Sequence, residues 1–153
     1  MYQKSKCLWK TRFNLVLMRM NDLIIELHVP DFDKAIEFYS KLGFEVIYKE
    51  PLGEKLGYIV IRKGETLLNF YGGDERIANH SFFKRFPKGT ASGYGVEITI
   101  PIENIDEYYN KVYPLVKDSI VQELQLKPWG KKDFRLADPF GFYIRFTEPL
   151  NYI

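Results

Sequence analysis

The sequence predicts an α+β fold in which two tandem βαβββ modules form a curved mixed sheet around a cleft. Three observations predict it. An order of strand, helix and three strands occurs twice; short segments of period-two alternation flank segments of helical period; and a slide of the chain by 73 residues matches apolar phase to apolar phase. The slide lays Ile25, Leu27 and Val29 on Ile98, Ile100 and Ile102, and Asp31, Phe32 and Asp33 on Asn104, Ile105 and Asp106.

The first module opens with a strand from Leu23 to Val29, stopped by Pro30 and Asp31. Asp31 or Asp33 can cap the helix that follows, on which Phe32, Ala35, Ile36, Tyr39 and Leu42 recur at helical spacing, and Gly43 supplies its stop. Strands then run from Phe44 to Lys49, Tyr58 to Arg62 and Thr66 to Tyr71, with turns at Pro51, Gly53, Gly57 and Gly64. After a loop from Gly72 to Ser92 the order repeats: a strand from Gly95 to Ile102, a helix from Asn104 that Pro114 should end or kink, and strands Ile120 to Leu126, Asp133 to Ala137 and Phe142 to Thr147. The domain so read spans 20–150, with module one at 22–72, a linker or lid at 73–92 and module two at 93–148.

Strand parity assigns the faces. With Ile25, Leu27 and Val29 under the helix, Ile24, Glu26 and His28 point the other way. In module two, Glu97, Thr99 and Pro101 take that opposite face, joined by Tyr143, Arg145 and Thr147. These side chains would line the cleft, among aromatics drawn from Tyr58, Phe70, Tyr71, Phe82, Phe83, Phe86, Tyr94, Trp129 and Tyr143.

Composition removes several function classes. The 153 residues contain no uncharged apolar run near the ~20 residues that cross a bilayer, so no membrane partner is expected. The single cysteine, Cys7, forms no internal disulfide and fits a reducing cytoplasm. The net charge of +2 comes from Lys4, Lys6, Lys10, Arg12 and Arg19; beyond them 17 bases face 20 acids, which is no field for nucleic acid. Residues 1–19 read as an N-terminal arm, with Met20 as the start codon, or else as an arm that packs on a partner subunit. Phosphate loops, dinucleotide fingerprints and nucleophile elbows are missing from the sequence.

The run LHVPDFDKAIEFYSKLGF from Leu27 and the run PWGKKDFRLADPFG from Pro128, together with the tandem βαβββ order, resemble the glyoxalase/bleomycin-resistance/dioxygenase (vicinal oxygen chelate) superfamily from about Leu23 to Glu148. Pro128, Trp129, Gly130, Phe134 and the turn Asp138, Pro139, Phe140, Gly141 are most similar to its bleomycin-resistance branch. In metal-dependent relatives four inward residues hold a divalent cation. That correspondence places the positions at Ile24, Leu68 or Asn69, Glu97 and Arg145. One carboxylate and a guanidinium without a lone pair make no metal site, so no metal and no cofactor is expected. An ion pair between Glu97 and Arg145 should stand where the metal would, with Glu26 or a ligand sharing the guanidinium.

What the resemblance implies is a homodimer that binds a small planar, even cationic, molecule and sequesters it without chemistry, as in antibiotic resistance. The ligand set would be Glu26, His28, Asn69, Glu97, Thr99, Trp129, Tyr143 and Arg145, with no catalytic residue; His28 lacks an oriented partner for acid–base work. The linker phenylalanines would close over the ligand or dock on a neighbouring subunit. Two other readings compete: a metal-dependent lyase, isomerase or dioxygenase using Glu26, His28 and Glu97, and a regulatory or partner-binding module with no small ligand.

Overall fold

The computed structural model describes residues 23–50 and 57–151, the side chains of 74–76 apart. The expected arm at 1–19, Cys7, the Met20 start and the turn residues Pro51 and Gly53 lie outside the described residues. Module one consists of β1 (Glu26–Val29), α1 (Phe32–Lys41), β2 (Glu45–Lys49), β3 (Tyr58–Lys63) and β4 (Thr66–Gly72). Module two repeats the order with β5 (Glu97–Pro101), α3 (Ile105–Val116), β6 (Ile120–Leu126), β7 (Lys132–Ala137) and β8 (Tyr143–Thr147). Between them lie α2 (Asp74–Asn79) and a 3-10 turn, Phe83–Arg85, where a plain loop was expected.

Each module is a four-stranded mixed sheet, ordered β1-β4-β3-β2 and β5-β8-β7-β6. The first and last strands of a module are parallel, as the intervening crossover requires, and the others antiparallel. Within the described chain the sheets stay separate, without a strand bonded from one to the other.

Local chemistry accounts for the elements. Asp31 caps α1, its carboxylate accepting from the Lys34 N–H at 3.1 Å. Gly43 ends the helix at φ +80°, which lets the Phe44 N–H reach the Tyr39 carbonyl at 3.0 Å. Pro114 does not end α3 as expected; the helix runs two residues further to Val116, because a proline this near the C-terminus forfeits one backbone bond and leaves few beyond it. Parity is as expected: Leu27, Val29, Ile98, Ile100, Phe142, Ile144 and Phe146 are buried in one core that spans both modules.

That core joins the modules through their helices. The Tyr39 hydroxyl of α1 donates to Asp138 at 3.0 Å, and the Tyr108 hydroxyl of α3 donates to the Leu42 carbonyl at 2.9 Å. Lys63 lies 4.4 Å from the centre of the Tyr108 ring. The Asp138-Pro139-Phe140-Gly141 turn is built for this contact: Asp138 accepts from the Phe140 and Phe142 N–H groups at 2.9 and 2.8 Å and presents its other oxygen to Tyr39. Burial raises the Asp138 carboxyl above its ordinary 3.8, against the hydrogen bonds that lower it.

A raised carboxylate has a definite consequence. The folded state holds the Asp138 proton more tightly than the unfolded chain, so this group's contribution is complete below about pH 3.8 and is lost as pH rises through the folded value. Urea midpoints taken across acidic pH should show that decline in the wild type, and Asp138→Asn should flatten it. An unchanged slope in the variant would assign the titration elsewhere.

Candidate functional site

The face of module two that points away from α3 carries a connected charge cluster. Asp133, on β7, is fully buried. One of its oxygens accepts from the Gln122 amide at 2.8 Å and lies 3.7 Å from Lys127 Nζ. The other lies 2.9 Å from Arg145 Nε, off that donor's N–H direction, and 3.8 Å from Arg135 Nη2. Glu97 stands 3.7 Å from Nη1 of both Arg145 and Arg135. Burial works against the Arg135 charge, but its hydrogen bond to Tyr143 and the two carboxylates hold its pKa above the ordinary value. Trp129, 52% exposed, covers Arg145 with its ring centre 5.1 Å from the guanidinium carbon.

Strand register explains the assembly. Thr99, Arg145 and Arg135 lie in one row across β5, β8 and β7, and Glu97, Tyr143 and Ala137 in the next. Thr99 is exposed in that row. The expected Glu97 and Arg145 pair is present at ion-pair distance, yet Arg145 is held chiefly by Asp133. The sequence reading had missed Asp133, Arg135, Lys127 and Gln122. Parity could have found the first two: with Phe134 and Leu136 under the helix, Asp133 and Arg135 must take the opposite face.

Module one carries a second cluster on its equivalent face. Glu26 and Asn69 are register partners, as are His28 and Tyr71. Asn69 is buried and donates to the Tyr58 hydroxyl, which also bonds Glu26. Burial, then the Glu26 charge, raises the Tyr58 pKa. His28 Nε2 lies 3.2 Å from Glu26, and its Nδ1 is buried without a hydrogen-bond partner among the described residues. Phe83 packs edge-on against His28 at 4.9 Å, so the linker covers this face of its own module. His80 Nδ1 accepts from the Phe82 and Phe83 N–H groups at 3.2 and 3.4 Å, which fixes that turn.

Several expectations change. Glu26 does not share the Arg145 guanidinium; its partners are His28 and Tyr58. Phe70 is a core residue with no exposure rather than a cleft aromatic, because β4 parity turns it under α1 with Leu68. Asn69, not Leu68, therefore faces the open side. Of the three linker phenylalanines Phe83 packs on His28 of module one, whereas Phe82 and Phe86 are 48% and 47% exposed. No ion pair or ring contact joins the Glu26 cluster to the Arg145 cluster among the described residues.

The profile of the Glyoxalase/Bleomycin resistance protein/Dioxygenase superfamily matches residues 23–146. The chain belongs to this superfamily. Within it, a bleomycin resistance protein of Geobacillus stearothermophilus is 29% identical over 134 residues, 82% of this chain and 94% of that one. A hypothetical protein from S. aureus superposes with a TM-score of 0.61 at 23% identity, covering 85% of this chain and 95% of the other. A bleomycin-binding protein solved in complex with bleomycin superposes at 0.58 with 18% identity, covering 86% and 100%. Both structures share the superfamily fold. The four positions that hold metal in metal-dependent superfamily members do not fit one here: Ile24 has no donor, Arg145 repels a cation, and Asn69 and Glu97 belong to separate clusters. Among the described residues no three His, Cys, Asp or Glu side chains gather closely enough to hold an ion, and no helix is long and apolar enough to cross a membrane.

Proposed function

We propose that this single-domain protein binds a small planar molecule and sequesters it unaltered as a cytoplasmic homodimer, a reading supported by its 29% identity to a bleomycin resistance protein and its likeness to a bleomycin-binding protein. One observation carries the reading. A half-exposed indole, Trp129, lies over a guanidinium pinned by a buried carboxylate, at the position where catalytic relatives place a metal ligand. Such a surface can stack a ring and present fixed hydrogen-bond donors, and its guanidinium has no lone pair for a metal; the oriented partner that His28 was expected to lack is Glu26, at 3.2 Å on the module-one face. Glu26, His28, Asn69, Glu97, Thr99, Tyr143 and Arg145 would surround the ligand with Trp129.

Among the described residues, Leu23 and Ile24 before β1, and Tyr94 and Val96 before β5, are exposed beside edge strands of the two sheets, which gives a second copy apolar surface to cover.

Native mass spectrometry of the full chain tests the assembly, with a dimer and no divalent metal expected; metal at one equivalent per chain would support a lyase, isomerase or dioxygenase instead. A thermal-shift screen over planar antibiotics and dyes should find compounds that stabilise the fold by about 2.7 kcal/mol at a hundredfold excess over Kd. Trp129→Ala should weaken them roughly five- to thirtyfold, the value of a stacked cation–π surface of about 1–2 kcal/mol. A screen in which no planar compound stabilises the protein would favour a partner-binding module.

A further inference from the structure

Among the described residues the charges of the module-two cluster do not cancel. Arg135, Arg145 and Lys127 face Asp133 and Glu97, three cations against two anions. Asp133 is committed: it has no exposure, and every cation of the cluster approaches it. Glu97 is not. Its oxygens lie 3.7 Å from both arginines, about 1 Å beyond the ~2.8 Å of a charge-assisted hydrogen bond, and its side chain remains 33% exposed.

Arg135 and Arg145 are direct cross-strand partners, an unfavourable arrangement for like charges unless an anion lies between them. The chain's own loosely held carboxylate stands at that point. Neither guanidinium can lose its charge, and both offer planar forks that match an oxyanion. Trp129 flanks the same spot with an exposed ring. A cationic ligand, by contrast, would meet two carboxylates already facing arginine.

We propose that this face is an oxyanion site for aromatic acids: the charged group of a planar ligand enters between Arg135 and Arg145, Glu97 turns out to solvent, and the ring lies along Trp129. This rests on the sequestration reading and deepens it by naming the ligand's charge. The shared chemistry is an oxyanion on an aromatic ring, from a carboxylic acid or a phosphate ester.

A matched series decides it. Isothermal titration of the full-length protein with 2-naphthoate, 2-naphthyl phosphate, neutral 2-naphthamide and cationic 2-naphthylmethylammonium holds the ring constant while the charge changes. At least one oxyanion should bind tenfold or more tightly than the amide and the ammonium, and which one does so separates carboxylate from phosphate. Glu97→Gln should raise the ratio of oxyanion to amide affinity about tenfold, because no carboxylate then competes for the two guanidinium groups. Trp129→Ala should weaken all bound probes alike. If amide or ammonium binds as well as the oxyanions, or if Glu97→Gln leaves the ratio of oxyanion to amide affinity unchanged, the oxyanion site is overturned while sequestration stands. If none of the four binds, both fall.

Discussion

Asp133→Asn is expected to destabilise the protein by about 3–5 kcal/mol, the penalty for stripping the partner from buried charges. Its carboxylate has no exposure, and Arg145, Arg135 and Lys127 are only 14%, 22% and 12% exposed. Once it is neutral, Arg135 and Arg145 keep only Glu97, 3.7 Å away, and Lys127 keeps only the Gln122 amide oxygen among the described residues. Urea denaturation should show the midpoint falling with little change in slope. Asp106→Asn is the contrast, since that carboxylate pairs with Lys132 at 2.7 Å but is 62% exposed; its loss should cost less than about 1 kcal/mol. Equal effects from the two variants would mean that water reaches the Asp133 network.

Phe134→Ala tests the other face of the same strand and is expected to cost about 3–5 kcal/mol. Its ring has no exposure, stacks on Phe146 at 5.1 Å and meets Tyr109 edge-on at 4.9 Å, so truncation opens a cavity that these rings cannot readily fill. Phe82→Ala, at an exposed linker position, should change stability by no more than about 0.5 kcal/mol. Thermal melts of the pair read the difference directly. A small loss at Phe134 would mean that α3 can settle onto β7.

Much of the fold was legible because its signals are local. Asp31 and Gly43 cap α1 through atoms within a few residues of each other, and the alternation in Ile98 and Ile100 needs nothing beyond the pleat. The linker was less legible. Its helix is six residues long, and its turn is held by His80 accepting two backbone amides, an arrangement with no period to detect. The candidate site was half legible: Glu97, Tyr143 and Arg145 followed from parity, as Asp133 and Arg135 could have. Lys127 and Gln122 could not, because β6 shifts register against β7 on both sides of Gln122, and a bulge cancels simple counting.

By itself the amino-acid sequence determined the two-module order and the side of each strand that enters the core. Only the tertiary structure decided which carboxylate holds Arg145, that Phe83 covers His28, and that Tyr39 of α1 and Tyr108 of α3 each bond to the other module. The division has a physical cause. Caps, turns and strand parity act over a few residues of chain, whereas an ion pair or a module interface depends on positions brought together from distant segments, which register and packing set jointly.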